Sequence, residues 1–424
     1  MIDAEALRRP SFGALLAAIA VAGLLVRGCA LLDQPPLGDD RSAGRSAANF
    51  VEHGHPGPTM WHHPRLRDLL VWTSTRAAGD TKLGLVLPSL LLGVLTIPLV
   101  GLLGRRLAGP GAGLVAAALL AVNPLHVDYS RQAVQEVYTA FFGAAGVLLA
   151  LRYADARRGG WLVASGVAFG LGAASKWSVA FPLAVMLVWI GAAHLRERGE
   201  PPSARAARLA FAVAALGVVP ATVYLLTWTP WFFQGRDLLD WVDLQRLMAA
   251  EIRTHGGFTE ADLELPHEAW RWFVQPVAFA DFTMGPHGPL AVVAITNPLV
   301  WPAALPALVF VARRAWRARR TEDALVAALF LGTYLPFLLT SRPIWVHSAL
   351  AVLPFALVAI AALLVRLWGE GPRARVALWA YAVLVVVVSV PLLALATGHG
   401  LEVGALRGLV ELYRPDARLE GPPR

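Results

Sequence analysis

Two adjacent carboxylates, Asp39 and Asp40, stand just beyond an apolar run that ends near Leu32. Neighbouring aspartates in a loop are most often simply solvated. The alternative is chemical: one carboxylate takes a proton from an attacking hydroxyl. Other charges fall at the ends of apolar runs. Arg131 and Glu136 lie in "NPLHVDYSRQAVQEVYTAFF", Lys176 in "ASKWS", and Arg342 and His347 in "TSRPIWVHSAL". Each cation alone reads as an interfacial anchor, and Glu136 alone as a partner for Arg131. Taken together they describe a site. Arg131, Lys176, Arg342 and His347 suit phosphate oxygens, which cations hold by charge-assisted hydrogen bonds. A carboxylate next to them suits a general base. A sugar carried on a polyprenyl phosphate meets both needs, because phosphate leaves without a general acid and single displacement requires one base.

Such a site needs a membrane to stand in, and the composition supplies one. The 424 residues are 57% hydrophobic and only 16% charged, against about a quarter charged in soluble domains. Apolar runs of span length recur along the chain. About 11 helices are predicted, at 11–32, 82–103, 110–127, 133–151, 161–175, 177–194, 208–229, 288–312, 323–340, 344–365 and 376–397. The expectation is an all-α polytopic membrane protein: one membrane domain over 1–397 and a short tail over 398–424. The net charge of +8 does not indicate nucleic acid, since the arginines cluster in short connections between spans. Lysine is rare, with Lys82 and Lys176 the only two.

Orientation follows from those arginines. With the N-terminus cytoplasmic, short inside segments hold 19 of the 37 basic residues, among them Arg105–Arg106, Arg152/Arg157/Arg158 and the cluster from Arg313 to Arg320. The long loops 33–81 and 230–287 then both lie outside, with the acid pair in the first. "DLLDWVDLQRLMAAEIRTH" in the second has helical apolar spacing and reads as an amphipathic surface helix. The expected location is the plasma (inner) membrane, with the site on its outer face.

Four histidines, His53, His55, His62 and His63, crowd "EHGHPGPTMWHH". Imidazole is a common zinc ligand, yet this spacing matches no closed structural zinc motif. No cofactor is expected for certain, and a divalent metal is an open alternative. Trp228, Trp231, Trp241, Trp270 and Trp272 read as an interfacial aromatic belt rather than sugar platforms. Cys29, the single cysteine, sits in "VRGCA". Arg27 is wrong for a lipidation box, and the later spans favour an uncleaved first helix.

The pattern resembles the GT-C membrane glycosyltransferases, specifically the protein O-mannosyltransferase-like group of glycosyltransferase family 39, related to the aminoarabinose lipid A transferases. Asp39–Asp40 resembles the family's acid pair, with Gly54 at the position of a helix-ending glycine. "HPRLRDLL", from His63, resembles its His-Pro-Pro-Leu element. "YSRQAVQEVYTAFF", "GLGAASKWSVAFPL", "WRWFVQP", "TNPLVWP" and "RPIWVHSALAVLPF" follow in family order, and the likeness covers most of the chain. It departs where Asp40 replaces a glutamate, where Arg65 replaces the second proline, and where Arg67 and Asp68 follow.

The resemblance implies a GT-C fold with amphipathic helices in the two outer loops, an isoprenoid-phosphate sugar donor and Asp39 as catalytic base. Asp40, Glu136 and His63 would support it. The acceptor would be a protein, a lipid or another glycan. Competing readings are a non-enzymatic transporter of lipid-linked intermediates and an envelope polysaccharide ligase or polymerase. A transporter would place its charges near mid-membrane and use repeats. The second would need a lipid-linked acceptor and different motifs.

Overall fold

The computed structural model describes residues 10–57, 61–197, 199, 201–253, 268–275, 277–285, 288–340 and 344–398. Helix α1 (Phe12–Gly28) leads into a long connection that carries α2 (Gly38–His53) and α3 (Leu66–Ala78). Then come α4 (Lys82–Ala108), α5 (Pro110–Ala121), the short α6 (Pro124–Tyr129), α7 (Glu136–Ala156), α8 (Gly159–Ala173), α9 (Ala180–Arg196) and α10 (Pro202–Leu226). A second long connection holds α11 (Thr229–Phe233), α12 (Leu238–Arg253) and a hairpin of β1 (Ala278–Gly285) and β2 (Gly288–Ile295). Helices α13 (Ala304–Ala318), α14 (Thr321–Leu338), α15 (Leu353–Trp368) and α16 (Pro372–Ala396) complete the described chain.

Six described helices are long and apolar enough to cross a membrane: α4, α7, α9 with its leading turn, α10, α14 and α16. Four shorter apolar helices, α1, α5, α8 and α15, pack among them. Lipid replaces water around such a bundle, so close backbone packing holds it together rather than the hydrophobic effect. At Gly113 of α5 an added Cβ would stand 2.4 Å from the Gly101 carbonyl of α4, so only glycine permits that crossing. On α16, Val383, Leu384, Val386, Val387 and Val390 remain exposed, as lipid-facing side chains should.

The predicted span over 288–312 is corrected. Residues 288–295 are β2, paired antiparallel with β1 from Ala278↔Ile295 to Gly285↔Gly288. The β-branched Val292, Val293 and Ile295 favour a strand. Pro298 and Pro302 then prevent a helix from running through the following turn. Asn297 caps that turn by accepting from the N–H groups of Leu299 and Val300, and the helix begins only at Ala304.

Arg27, expected within the membrane, is fully buried in α1. Its guanidinium donates to the carbonyls of Gly23, Ala121 and Leu120 and to Ser130 Oγ, and meets His126 Nδ1 at 2.9 Å. An arginine at this depth is tolerated because every donor group has a protein oxygen or nitrogen to replace water. It ties α1 to α5 and α6, which fixes the connection from which the site's next residues project.

Candidate active site

The acid pair opens α2. Leu37 is the N-cap, and its N–H donates to Asp40 Oδ2 at 2.8 Å. Both carboxylates therefore sit in a first helical turn, where the helix dipole favours negative charge. From there they part company. Asp40 is fully buried: Lys82 Nζ, at the start of α4, lies 2.5 Å from its Oδ2, and the Ala133 N–H donates to its Oδ1 at 2.7 Å. With three donors on its two oxygens, Asp40 bolts α2 to the bundle. That placement accords with a supporting place beside Asp39.

Asp39 is exposed and makes no hydrogen bond or ion pair among the described residues. Although open to solvent, it is crowded by protein. Desolvation raises its pKa above the ordinary carboxylate value; Glu136 and Asp40 raise it further, and Arg67 opposes them. An unpaired carboxylate with elevated basicity can accept a proton.

Arg67 belongs to a group that the sequence left as a mere departure from a motif. Asp68 Oδ2 takes Arg65 Nη1 at 2.7 Å and Ser46 Oγ at 3.1 Å, while its Oδ1 takes Arg67 Nη2 at 2.7 Å and Nε at 3.0 Å. Arg67 Nη1 continues to Gln135 Oε1 at 2.9 Å. All three charges are buried. Arg65 also stacks between Phe50 and Trp228, 5.6 and 5.5 Å from the ring centroids, and burial lowers its pKa to about 10. One carboxylate thus neutralises two guanidinium groups only in part and links α2, α3 and the start of α7.

The second charged group converges on Glu136, at the first turn of α7. Lys176 Nζ lies 2.9 Å from Glu136 Oε1 and 3.4 Å from Ser348 Oγ. His347 Nε2 approaches the same carboxylate oxygen at 3.3 Å, and its Nδ1 meets Tyr129 OH at 3.3 Å. Lys176, Glu136 and His347 are therefore brought together, and Lys176 and His347 keep 21% of their side chains exposed. His63 belongs beside this group: burial holds its pKa well below the usual value, with His62, Arg67 and Lys176 adding to the effect. Arg342 lies outside the described residues.

Arg131 is held by a different set of partners. It is 2% exposed, and its guanidinium donates to the carbonyls of Arg27, Cys29 and Thr397 and to Gln34 Oε1. Those bonds join α1, the α6–α7 connection and the end of α16. Glu136 pairs with Lys176 instead of Arg131. The connection also hides Asp128, buried and bonded to Gln132 Nε2 at 3.0 and 3.1 Å, with a pKa raised by burial to about 7. Its place in "NPLHVDYS" gave no signal.

The second long connection closes over the first at Gly54. This residue ends α2 with φ +67°, a left-handed conformation that glycine adopts freely. An added Cβ would lie 2.8 Å from the Pro230 carbonyl, and Arg236 Nη1 donates to the Gly54 carbonyl at 2.9 Å. Phe50, Trp228, Trp231, Leu244 and Met248 form the buried seam. Trp228, Trp231 and Trp272 thus pack inside the protein rather than forming a belt; Trp270 remains 49% exposed. Trp241 joins the seam from α12, partly buried.

The four histidines do not converge. His53 is exposed, His55 Nδ1 accepts from the Gly57 N–H, and the His62 and His63 rings lie tilted with centroids 4.2 Å apart. Among the described residues no three His, Cys, Asp or Glu side chains are grouped to hold a metal ion. Asp40's oxygens already accept from Leu37, Lys82 and Ala133.

Residues 62–226 match the family model described as dolichyl-phosphate-mannose-protein mannosyltransferase. The polyprenol-phosphate-mannose–protein mannosyltransferase of Mycobacterium tuberculosis is 26% identical over 393 residues, covering 78% of this chain and 75% of that protein. The donor-bound protein O-mannosyltransferase Pmt1-Pmt2 complex of S. cerevisiae superimposes with a TM-score of 0.77 at 13% identity, over 96% of this chain and 92% of the other. ArnT from Cupriavidus metallidurans bound to undecaprenyl phosphate gives 0.52 at 15% identity, over 94% and 72%. The fold is that of the GT-C membrane glycosyltransferases.

Proposed function

We propose that this multi-pass membrane protein of GT-C fold transfers a sugar, with inversion, from a polyprenyl-phosphate donor to an acceptor hydroxyl, using Asp39 as general base. The observation that carries the reading is the division within the acid pair: Asp40 is saturated and buried, while Asp39 is unpaired and more basic than an ordinary carboxylate. Asp39 takes the hydroxyl proton as the acceptor oxygen attacks the anomeric carbon. The bond from that carbon to the phosphate oxygen breaks, and its electron pair leaves with the polyprenyl phosphate. The names of the relatives favour mannose as the sugar and a protein hydroxyl as the acceptor.

Lys176 is the phosphate ligand in this scheme. An ammonium has three donors, and two are spent on Glu136 and Ser348. The third is available for an incoming phosphate oxygen, with His347 alongside. Lys176→Met keeps an apolar stem and removes the charge. The apparent KM for polyprenyl-phosphate sugar should rise about tenfold, the scale of one hydrogen bond to a charged group, at constant acceptor KM. Movement of the acceptor term alone would remove Lys176 from the phosphate site.

Lys82 meets Asp40, the neighbour of Asp39, and Lys176 and His347 meet Glu136; the arginine distribution supports an outside location for this end of the bundle. In a Cys29→Ser background, Ala77→Cys at the site end should react with an impermeant maleimide in intact cells. Ser203→Cys at the other end should react only after permeabilisation. The reverse pattern would put the reaction in the cytoplasm.

A further inference from the structure

The end of the bundle opposite Asp39 has a cavity of about 290 Å³ where α4 and α7 finish. Arg105 is 23 residues beyond Lys82 on α4, about 35 Å at 1.5 Å per residue. That is close to one hydrocarbon thickness, so the cavity lies at the opposite bilayer boundary. Its lining is divided between three leucines, Leu102, Leu148 and Leu151, and three arginines, Arg105, Arg106 and Arg152. Asp155 also faces it and takes a bidentate pair from Arg106, at 2.8 and 2.6 Å. Asp155 balances one arginine of the three. Arg105 is held over the Phe12 ring, 4.7 Å from its centroid.

We propose that this cavity binds the phosphate headgroup of an anionic phospholipid from the leaflet opposite the candidate active site. Guanidinium forks match phosphate geometry, and basic pockets between spanning helices take acidic headgroups. An ordinary interfacial arginine extends singly into water. Here three arginines line one concavity, Arg106 oriented by Asp155 and Arg105 resting on Phe12 beside it. The leucines decide between sources of phosphate: they offer a wall for the upper acyl chain, which a free phosphate would leave wetted.

Native mass spectrometry of the purified full-length protein tests this, with phosphatidylglycerol, phosphatidylcholine or inorganic phosphate added. Phosphatidylglycerol should be retained over phosphatidylcholine, and millimolar inorganic phosphate should not displace it. At a fixed lipid concentration, Arg105→Gln/Arg152→Gln should lower phosphatidylglycerol retention about tenfold or more, taking about fivefold per arginine. Arg158→Gln, on the same end but outside the cavity, should leave it unchanged. Where the double variant does not elute as a folded species, Arg152→Gln alone should show about a fivefold loss. Equal retention of the two lipids, full retention in the cavity variants, or an equal loss in Arg158→Gln would overturn the site. Displacement by inorganic phosphate would reassign it to a soluble anion.

Discussion

Asp39→Asn should reduce transfer about 100-fold or more, the usual contribution of a general base, and should do so without destabilising the protein. The second half follows from the sign of the pKa shift. Asp39's folded pKa lies above its unfolded value, so between the two the folded state binds more protons, and stability falls as pH rises through that window. At neutral pH the ionised carboxylate is a small burden on the fold, which the neutral amide removes. The same elevation places the acidic limb of kcat/KM in the wild type above about pH 4, the ordinary carboxylate range, with activity rising as Asp39 deprotonates. Thermal melts in detergent and a pH–rate profile check both halves. Near-normal turnover in the variant would remove Asp39 as the base. A variant that lost stability together with activity would mark it as structural.

Asp68→Asn should have the largest effect on stability. It deletes the one carboxylate lying between Arg65 and Arg67, all three of them buried. Removing one partner of a buried ion pair costs about 3–5 kcal/mol, because the remaining charge has no solvent to fall back on. The melting temperature should drop correspondingly, with little dependence on salt. Adding Arg65→Gln should recover part of the loss by removing one of the stranded charges. An Asp68→Asn protein as stable as the wild type would show that water reaches the triad.

Apolar runs made the membrane helices legible, since hydrocarbon demands the same twenty or so residues wherever a span occurs. The segment 288–295 misled because a short apolar run reads equally as helix or strand, and its β-branched residues and the turn prolines downstream were the local warnings. Site residues separated along a harder line. Asp39, Lys176, Glu136 and His347 were visible as charges at helix ends, and the structure brings the last three together. Arg131 looked the same from the sequence, yet it spends its guanidinium on carbonyls from segments 102–104 and 266 residues away. Which helix-end cation faces the site and which faces backbone depends on such distant partners, and local spacing carries no trace of them. Arg67 and Asp68 were hidden for a related reason: two charges in a row imitate a solvated helix start.

Lys82 carries a lesson for anyone mapping this protein by loss of activity. It belongs to a membrane helix, and its ammonium is paired with the buried carboxylate of Asp40. Yet Asp40 is the next residue after Asp39, so releasing that clamp should loosen the first turn of α2 and displace the proposed base with it. A screen scored on turnover alone would file Lys82 among the active-site residues. Only a measurement separating how well the proposed base works from where it stands would show whether this lysine acts in the reaction or in the scaffold.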